Sequence, residues 1–330
     1  MRPAVAFVAW TTVPGRAEEF AAALGGDARC FYPFRTPRRR LVPARYAVSA
    51  LQTAGYLALR RPRAVIATNP PVVPGLLAWL YGRLTGAVFV LDSHAGSFGR
   101  KGDRVSARLL PVHRWLARRA ALTLVADESL AALVRSWGGR PLVVHEAPPA
   151  WSVAAAGEPA DPIRLLLVTV FADDEPVGAA LDAARRTPVS LVLTGDPDRC
   201  PPAVRDAAER VGARFAGYLR GDAYRRALEA SDVVATLTTE PSSVMRAACE
   251  AVYAGRPLIV SDWPAARQAF PYAIHVANEG SAIAQGIERA RREHARLRRL
   301  AETARDVQVR RWREQLAALD SALSAPGAAT

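Results

Sequence analysis

The side chains best suited to chemistry cluster in one stretch, residues 235–264 (ATLTTEPSSVMRAACEAVYAGRPLIVSDWP). Its first residues end an apolar run that predicts a buried strand, and the apolar spacing of residues 244–254 predicts a helix. Gly255 and Pro257 terminate that helix, and Leu258 begins the next strand. The turn before the helix carries the hydroxyl side chains of Thr238, Thr239, Ser242 and Ser243.

This turn and helix have the chemistry of a phosphate site. The unpaired N–H groups and partial positive charge of a helix N-terminus favour phosphate, and hydroxyl groups add donors. Further along the helix, the Glu250 carboxylate can accept from paired hydroxyls such as those of a ribose. A plainer interpretation is that hydroxyl residues cap the helix, and that Arg246 and Glu250, four residues apart, pair on one face. The stretch alone favours the plainer interpretation.

A histidine and a carboxylate form a second constellation, Asp92-Ser93-His94, at the end of the apolar run VFVLD. Ligands of open parallel sheets bind at this edge. Asp92 and His94 are two residues apart and leave the strand on one side, so the carboxylate can hold the imidazole in one tautomer for proton transfer. The alternative is a structural histidine bonded to backbone, which is how we interpret His113 and His145.

Apolar runs alternate with helical patterns along the chain, which is typical of parallel α/β sheets. A segment rich in Pro and Ala at residues 145–162 interrupts the alternation, so the sequence predicts two domains, 1–155 and 156–330. Several predicted strands are followed by residues that can face a ligand. They are Gly15 and Arg16 after the first strand, Phe171 in the acidic run FADDEP, Gly195 with Asp196, and Tyr218 with Leu219.

The central stretch resembles the C-terminal signature of retaining glycosyltransferases of family 4, which have the GT-B fold. That signature reads Glu-Ala, three residues, Gly, one residue, Pro, and it is matched by Glu250-Ala251, Gly255 and Pro257. The family carries a second Glu eight residues before the first. Here that position is Ser242, and the nearest carboxylate is Glu240.

Two loops extend the resemblance. The runs FADDEP (171–176) and SDWPAARQAFP (261–271) resemble donor-side loops of a bacterial subgroup that makes surface polysaccharides. Family members usually place an Arg and a Lys near the first loop to hold the donor diphosphate, whereas this chain has acids there. Arg246 is the candidate replacement, and Arg16 is the second.

The resemblance implies two facing Rossmann-like domains with parallel sheets. The first binds the acceptor, and the second, with a final helix that crosses back, binds a nucleoside-diphosphate sugar. It implies no separate cofactor, metal ion or covalent nucleophile, a retained anomeric configuration, and a glycan or lipid-linked acceptor. The residues implied in catalysis are His94, Asp92 and Arg246. Those implied in donor binding are Gly15, Arg16, Phe171, Gly195, Asp196, Tyr218, Leu219, Thr238, Thr239, Ser242, Ser243 and Glu250.

The formal net charge of +13 comes almost entirely from the first half of the chain. Residues 1–160 hold 21 Arg or Lys and 9 Asp or Glu, whereas residues 161–330 hold 23 and 22. Clusters such as RTPRRR (35–40) and RRPR (60–63) suit acidic phospholipids, a phosphate-bearing acceptor or nucleic acid. We expect an anionic membrane surface, the inner face of the plasma membrane, and no nucleic acid. Aromatic residues flank the first cluster, as at membrane interfaces and at nucleic-acid stacking sites: Phe31, Tyr32, Phe34 and Tyr46.

Other features narrow the class of protein. The three cysteines lie far apart without metal-ligand spacing and suit a cytoplasmic protein. The N-terminal run AVAFVAW is too short for a secretion signal. The motifs of dinucleotide-dependent dehydrogenases and P-loop proteins are absent from the sequence. Two alternatives stay open: a sugar-nucleotide epimerase or other GT-B enzyme that transfers no sugar, and a basic nucleic-acid-binding protein.

Overall fold

The structure is a computed structural model that describes residues 4–12, 15–34, 39–99, 104–151, 154 and 157–324. The chain divides into two compact units, one of residues 1–147 with 312–330 and one of residues 148–311. The sequence placed the division eight residues later, between 155 and 156. Residues 312–330 belong to the first unit although they follow the second along the chain.

The first unit is built on a six-stranded parallel sheet in the order β2-β1-β3-β4-β5-β6. Its strands are β1 (Val5–Ala9), β2 (Asp27–Cys30), β3 (Ala64–Asn69), β4 (Val88–Ser93), β5 (Leu122–Val125) and β6 (Pro141–Val143). Its helices are α1 (Gly15–Ala23), α2 (Val42–Arg60), α3 (Val72–Thr85), α4 (Arg104–Arg119) and α5 (Glu128–Ser136). Short 3-10 turns lie at Arg39–Leu41 and Ala95–Phe98.

Both faces of this sheet are covered, and its inner strands β1, β3, β4 and β5 are accordingly mostly apolar. Alternate residues of β4 show the arrangement: Val90 packs in the cluster that contains Phe20 of α1, and Leu91 in the cluster that contains Leu116 of α4. Leu319, from the last helix, packs in the Val90 cluster. The carboxyl ends of β1, β3 and β4 are therefore held on a rigid layer.

The second unit has a six-stranded parallel sheet in the order β12-β11-β10-β7-β8-β9. Its strands are β7 (Arg164–Leu167), β8 (Ser190–Thr194), β9 (Arg214–Gly217), β10 (Val233–Thr236), β11 (Leu258–Ser261) and β12 (Ile274–Val276). Its helices are α6 (Val177–Arg186), α7 (Pro202–Arg210), α8 (Gly221–Ala230), α9 (Arg246–Tyr253), α10 (Pro264–Ala269) and α11 (Gly280–Arg292), and α12 (His294–Ser324) runs on into residues of the first unit. The strand order reverses between β7 and β10, which are neighbours in the sheet.

In the described part of the chain, the twelve strands match the alternation read from the sequence, with ends displaced by a few residues. Gly255 has a φ of 62°, the left-handed conformation expected of a residue that ends a helix. Within the described ranges, no helix combines the length and the apolar character needed to cross a bilayer. Residues 35–38 of the first basic cluster, and Arg100 with Lys101, lie outside those ranges.

Candidate functional site

The strand order of the second unit reverses between β7 and β10. Ligands of such sheets bind outside the carboxyl ends of the strands, beside the point of reversal. Asp174, in the loop after β7, joins that loop to the turn after β10. Its carboxylate accepts from the Thr238 hydroxyl at 3.1 Å, and its carbonyl accepts from the Thr239 N–H at 2.7 Å. The acidic run and the hydroxyl turn, distant in sequence, therefore form one surface.

A closed ring of hydrogen bonds fixes the turn after β10. The Thr238 N–H donates to Ser261 Oγ at 2.9 Å, and Ser261 Oγ donates to Asn278 Oδ1 at 2.6 Å. Asn278 Nδ2 returns to the Thr238 carbonyl at 2.9 Å, which also accepts from Trp263 Nε1 at 2.8 Å. The ring ties together the ends of β10, β11 and β12, so the turn is held in place before any ligand binds.

Glu240 lies buried inside this turn. Its carboxylate accepts from the Ser242 hydroxyl at 2.8 Å and from the Ser242 N–H at 3.4 Å, and its carbonyl accepts from the Ser243 N–H at 3.2 Å. Two N–H groups that the sequence predicted to face a phosphate are thus used within the turn. Because this turn occupies the residues up to Met245, α9 begins at Arg246 and not at residue 244 as predicted.

Helix α9 carries the two charged side chains of the central stretch. Arg246 Nε lies 2.8 Å from Glu250 Oε1, the pairing that the plainer interpretation predicts. The Arg246 side chain is 37% exposed and that of Glu250 15%, so both are accessible at the surface of the unit. Tyr224 of α8 lies beside them: burial and the negative charge of Glu250 raise the pKa of Tyr224 well above its usual value.

The loop after β7 is acidic near the place where family 4 enzymes usually have an Arg and a Lys. One of its acids, Glu175, binds within the loop itself. Glu175 turns back into its own loop, where Oε2 accepts from the Thr169 hydroxyl at 2.6 Å and from the N–H groups of Val170 at 2.9 Å and Ala172 at 3.0 Å. With Phe171 in the left-handed region (φ 59°), these N–H groups form a concave anion site that the protein fills with its own carboxylate.

Gly195, after β8, is required by close packing against this loop. Its φ is 94°, and an added Cβ would lie 2.7 Å from the Thr169 carbonyl oxygen and 2.9 Å from the Phe171 ring. Thr194 Oγ1 accepts from the Thr169 N–H and donates to the Thr169 carbonyl, both at 2.9 Å. Phe171 and Gly195, each predicted separately to face the donor, thus lie in contact with each other.

The other predicted contacts of this edge have local roles. Asp196 accepts from the Asp198 N–H at 3.1 Å and so caps the short turn that follows β8. Tyr218, after β9, is 45% exposed, with the Arg220 guanidinium 4.8 Å from its ring centre. Leu219 is half-buried beside it. The exposed tyrosine ring is a surface on which a base can stack.

The first unit holds the predicted Asp92–His94 pair at the end of β4. Asp92 Oδ2 lies 3.4 Å from His94 Nε2, the carboxylate buried and the imidazole about half exposed. Burial of Asp92 opposes its ionisation, but the charges of Arg16 and His94 outweigh burial and hold the pKa of Asp92 well below its usual range. The backbone N–H of His94 donates to the Asn69 carbonyl at 2.9 Å, which fixes the backbone of the loop.

Arg16 differs from its predicted role as a phosphate ligand. It follows Gly15 in the first turn of α1, and its guanidinium lies 3.0 Å from Asp92 Oδ1 and 2.9 Å from Glu146 Oε1. The Phe20 ring packs against it, with 4.4 Å between the guanidinium carbon and the ring centroid. Arg16 is therefore a buried partner of two carboxylates, and Gly15 is the first residue of its helix.

His113 has the structural role predicted for it. It is buried, with Nε2 3.0 Å from Ser93 Oγ and Nδ1 3.1 Å from the Ser97 carbonyl oxygen. These bonds secure the segment that follows β4 and carries His94.

Several residues of these surfaces were not found from the sequence. Glu175 had a local signal, since a carboxylate just before a predicted helix often accepts backbone N–H groups. Apart from the short-range bonds of Thr169, the partners of the others lie 17 or more residues away along the chain, so no local pattern reveals them. They are Thr169, Ser261, Trp263, Asn278, Tyr224 and Glu146.

The chain is similar to known proteins in part of its sequence and in its fold. Residues 4–150 match the family model of the glycosyl transferase 4-like domain. Among solved structures, the chain is similar to HepE from Anabaena in complex with UDP and glucose, with a TM-score of 0.75 and 15% identity over 98% of this chain and 100% of that chain. No curated protein matches the sequence.

Two further structures show the same likeness. Sucrose-phosphate synthase from Thermosynechococcus elongatus has a TM-score of 0.72 and 16% identity over 96% of this chain and 97% of that one. The UDP-forming α,α-trehalose-phosphate synthase from Burkholderia xenovorans has a TM-score of 0.65 and 13% identity over 89% and 81%. At these identities the likeness shows the fold, so the predicted GT-B fold is confirmed, and the domain match shows that residues 4–150 resemble a glycosyl transferase 4-like domain.

Proposed function

We propose that this chain, a GT-B protein with a glycosyl transferase 4-like domain at residues 4–150, is a glycosyltransferase whose donor is a nucleoside-diphosphate sugar. The observation that carries the proposal lies at the carboxyl ends of β7 and β10 in the second unit. There Arg246 and Glu250 follow the hydroxyl turn on one face of α9. The similar structures support it, since HepE was solved with UDP and with UDP-glucose.

In this proposal the two charged residues of α9 divide the donor between them. Glu250 accepts the ribose hydroxyls, and Arg246 counters the negative charge that builds on the departing diphosphate. In the free protein the two are paired at 2.8 Å, so binding exchanges one Arg–Glu contact for an Arg–phosphate and a Glu–ribose contact. The N–H groups of Ser242 and Ser243 already donate to Glu240, so Arg246 neutralises much of the negative charge on the diphosphate.

The finer chemistry of the proposal rests on the resemblance to family 4. Transfer retains the anomeric configuration, uses no covalent protein intermediate and needs no metal ion. His94 hydrogen-bonds the transferred sugar, and Asp92 holds His94. The acceptor is a glycan or lipid-linked precursor of a cell-surface polysaccharide.

Calorimetric titration with nucleoside diphosphates, followed by a transfer assay with the corresponding sugars, tests the donor site. We expect Glu250→Gln and Arg246→Gln each to weaken diphosphate binding about tenfold or more, since a hydrogen bond to a charged group contributes about 1.5–3 kcal/mol. The control is Arg186→Gln, which breaks an Arg–Asp pair of the same spacing and length (2.8 Å) on α6 and leaves binding unchanged.

Two results would count against the proposal. Unchanged affinity in both α9 variants would remove the donor site from this edge. Epimerisation of a bound sugar nucleotide without transfer to any acceptor would favour the epimerase alternative.

We further propose that the acceptor is presented by an anionic membrane, to which the first unit attaches through α2. Leu51 is 74% exposed and Leu59 82%, whereas helices that face water normally present charged residues. Apart from Gln52, the exposed residues of α2 before its terminal arginine are apolar: Pro43, Ala44, Ala47, Val48, Leu51, Ala54, Gly55, Ala58 and Leu59. This apolar face suits the boundary between headgroups and acyl chains.

The charges around α2 complement acidic lipids. Residues 31–119 contain 16 Arg or Lys but only two acids, Asp92 and Asp103, and Asp92 is buried against Arg16. The cluster RRPR (60–63) follows the apolar face directly. Each such arginine near an anionic surface contributes about 1 kcal/mol of attraction.

The aromatic residues near the first basic cluster favour a membrane over nucleic acid. Phe31 packs on Tyr56 with ring centroids 5.9 Å apart, and Tyr46 on Trp10 at 5.3 Å. Tyr32 lies under an arginine guanidinium at 4.4 Å. Phe31 and Tyr46 are thus engaged in packing against other rings, which makes them poor stacking surfaces for single-stranded bases.

Flotation of the full chain with phosphatidylglycerol-containing vesicles tests the attachment. We expect the wild type to float with these vesicles and not with neutral ones. Leu51→Ser with Leu59→Ser should lower the vesicle partition constant about a hundredfold or more, because burying each leucine contributes about 1.5–3 kcal/mol. Leu300→Ser, at a 37% exposed leucine of α12, is the matched control. Equal flotation of all variants would remove the idea, and tight binding to single-stranded RNA instead would support the nucleic-acid alternative.

A further inference from the structure

Arg16 has no donor left for a ligand. Nε and Nη2 donate to Asp92 at distances of 3.0 to 3.2 Å, and Nη2 also reaches the Val144 carbonyl at 3.4 Å. Nη1 donates to Glu146 Oε1 at 2.9 Å and reaches the His145 carbonyl at 3.5 Å. A phosphate could bind this guanidinium only by displacing a buried carboxylate, which is energetically costly.

The position of Asp92 makes it dependent on this arginine. Its side chain is 2% exposed, and a carboxylate so deeply buried without a cation takes up a proton. With Arg16 beside it, Asp92 stays ionised, and an ionised carboxylate can only accept hydrogen bonds. The nearest nitrogen of His94, Nε2 at 3.4 Å, must then carry the proton, which leaves a lone pair on Nδ1.

We propose that Arg16 is a positioning residue for His94. By pairing with Asp92 from α1, it keeps Asp92 an acceptor, and Asp92 in turn holds the imidazole with Nε2 protonated and Nδ1 free to accept from a sugar hydroxyl. Glu146, on the segment after β6, fixes the other side of the guanidinium so that it cannot turn away. The sugar contact rests on the proposed function, whereas the order Arg16, Asp92, His94 rests on geometry alone.

A double-mutant cycle of Arg16→Gln and His94→Ala provides the kinetic test, with sugar transfer by the full chain as the readout. Alone, Arg16→Gln lowers kcat about tenfold and changes the donor KM by less than about twofold. In the His94→Ala background it changes kcat by less than about twofold, because the residue through which it acts is gone. The control is Arg29→Gln, which removes an exposed arginine paired with Asp27 at 3.3 Å in the same unit.

Two kinetic results would overturn the proposal. If the two effects multiply, Arg16 acts independently of His94. If Arg16→Gln raises the donor KM in both backgrounds, Arg16 is a donor ligand, as the sequence alone suggested.

A second measurement needs no substrate. Long-range proton–nitrogen NMR of the wild type at about pH 8 shows His94 as the Nε2–H tautomer, and Arg16→Gln converts it to a mixture of tautomers. Arg16→Lys, which keeps a cation beside Asp92, retains the wild-type tautomer and serves as the readout should the glutamine variant fail to fold. An Nδ1–H tautomer in the wild type refutes the proposal. If no sugar nucleotide is turned over while the tautomers behave as stated, the proposed function fails and this inference stands.

Discussion

Replacing His113 by Gln changes how the first unit responds to acid. The Ser97 carbonyl can only accept, so Nδ1 of His113 carries the proton and Nε2 accepts from the Ser93 hydroxyl. A second proton would have to enter at Nε2, where it breaks the bond from Ser93. Burial lowers the pKa of His113 from 6.5 to about 4, although the bond to Ser97 opposes this.

The magnitude follows from that difference in pKa. The unfolded chain binds a proton at His113 below about pH 6.5 and the folded unit only near pH 4, so stability is fully present above the first value and is lost as pH falls toward the second. Each pKa unit corresponds to about 1.4 kcal/mol, so the unfolding free energy falls by roughly 3 kcal/mol over this pH range. The carboxylates with lowered pKa values, such as Asp92, lose their contribution at still lower pH.

Denaturant unfolding at several pH values measures this, with fluorescence of Trp137, whose ring centroid lies 5.1 Å from that of His113, as the probe. His113→Gln should be less stable than wild type at neutral pH and lose about 3 kcal/mol less between pH 7 and 4. Thr53→Val, which also removes a buried polar group of this unit, should follow the wild-type pH dependence. Parallel pH profiles for wild type and His113→Gln would refute the reasoning.

Three further outcomes are expected. Gly195→Ala forces a Cβ to within 2.7 Å of the Thr169 carbonyl oxygen, so it should lower the unfolding free energy by about 1–3 kcal/mol and move Phe171. An unchanged melting temperature would contradict this. Arg256→Met removes a buried guanidinium that binds the Leu228 and Glu229 carbonyls at the end of α8, and should cost about 2–4 kcal/mol in the same assay, whereas Arg214→Met at the surface should cost little. Glu175→Ala should speed hydrogen exchange of the Val170 and Ala172 amides about tenfold or more, and unchanged exchange would show that the carboxylate does not hold the loop.

The sequence predicts the sheet layers well because each buried strand is locally apolar. Residues 88–91 of β4 and 233–235 of β10 are continuous apolar runs, and Gly255 marks a helix end through its own backbone preference. The start of α9 is less predictable, since it depends on Glu240 folding into the preceding turn. Side-chain charge by itself does not reveal whether a carboxylate faces a ligand or its own backbone.

The candidate site divides in the same way. Asp92 and His94 share a side because of strand geometry, so their contact is predictable from spacing. Arg16 was misplaced because its partners, Asp92 and Glu146, lie 76 and 130 residues away, and no local signal joins them. A buried cation looks the same in sequence as one that binds phosphate, and the fold decides between the two.

The hydrogen-bonded ring of Thr238, Ser261 and Asn278 constrains how this protein can evolve. Thr238 takes part through its backbone N–H and carbonyl, whereas Ser261 and Asn278 take part through their side chains. Replacing Ser261 by an apolar residue would therefore leave both the Thr238 N–H and Asn278 Oδ1 without these bonds. A change at position 261 or 278 is therefore tolerated only with a compensating change at the other. In an alignment of relatives, positions 261 and 278 should covary, although they lie 17 residues apart in sequence.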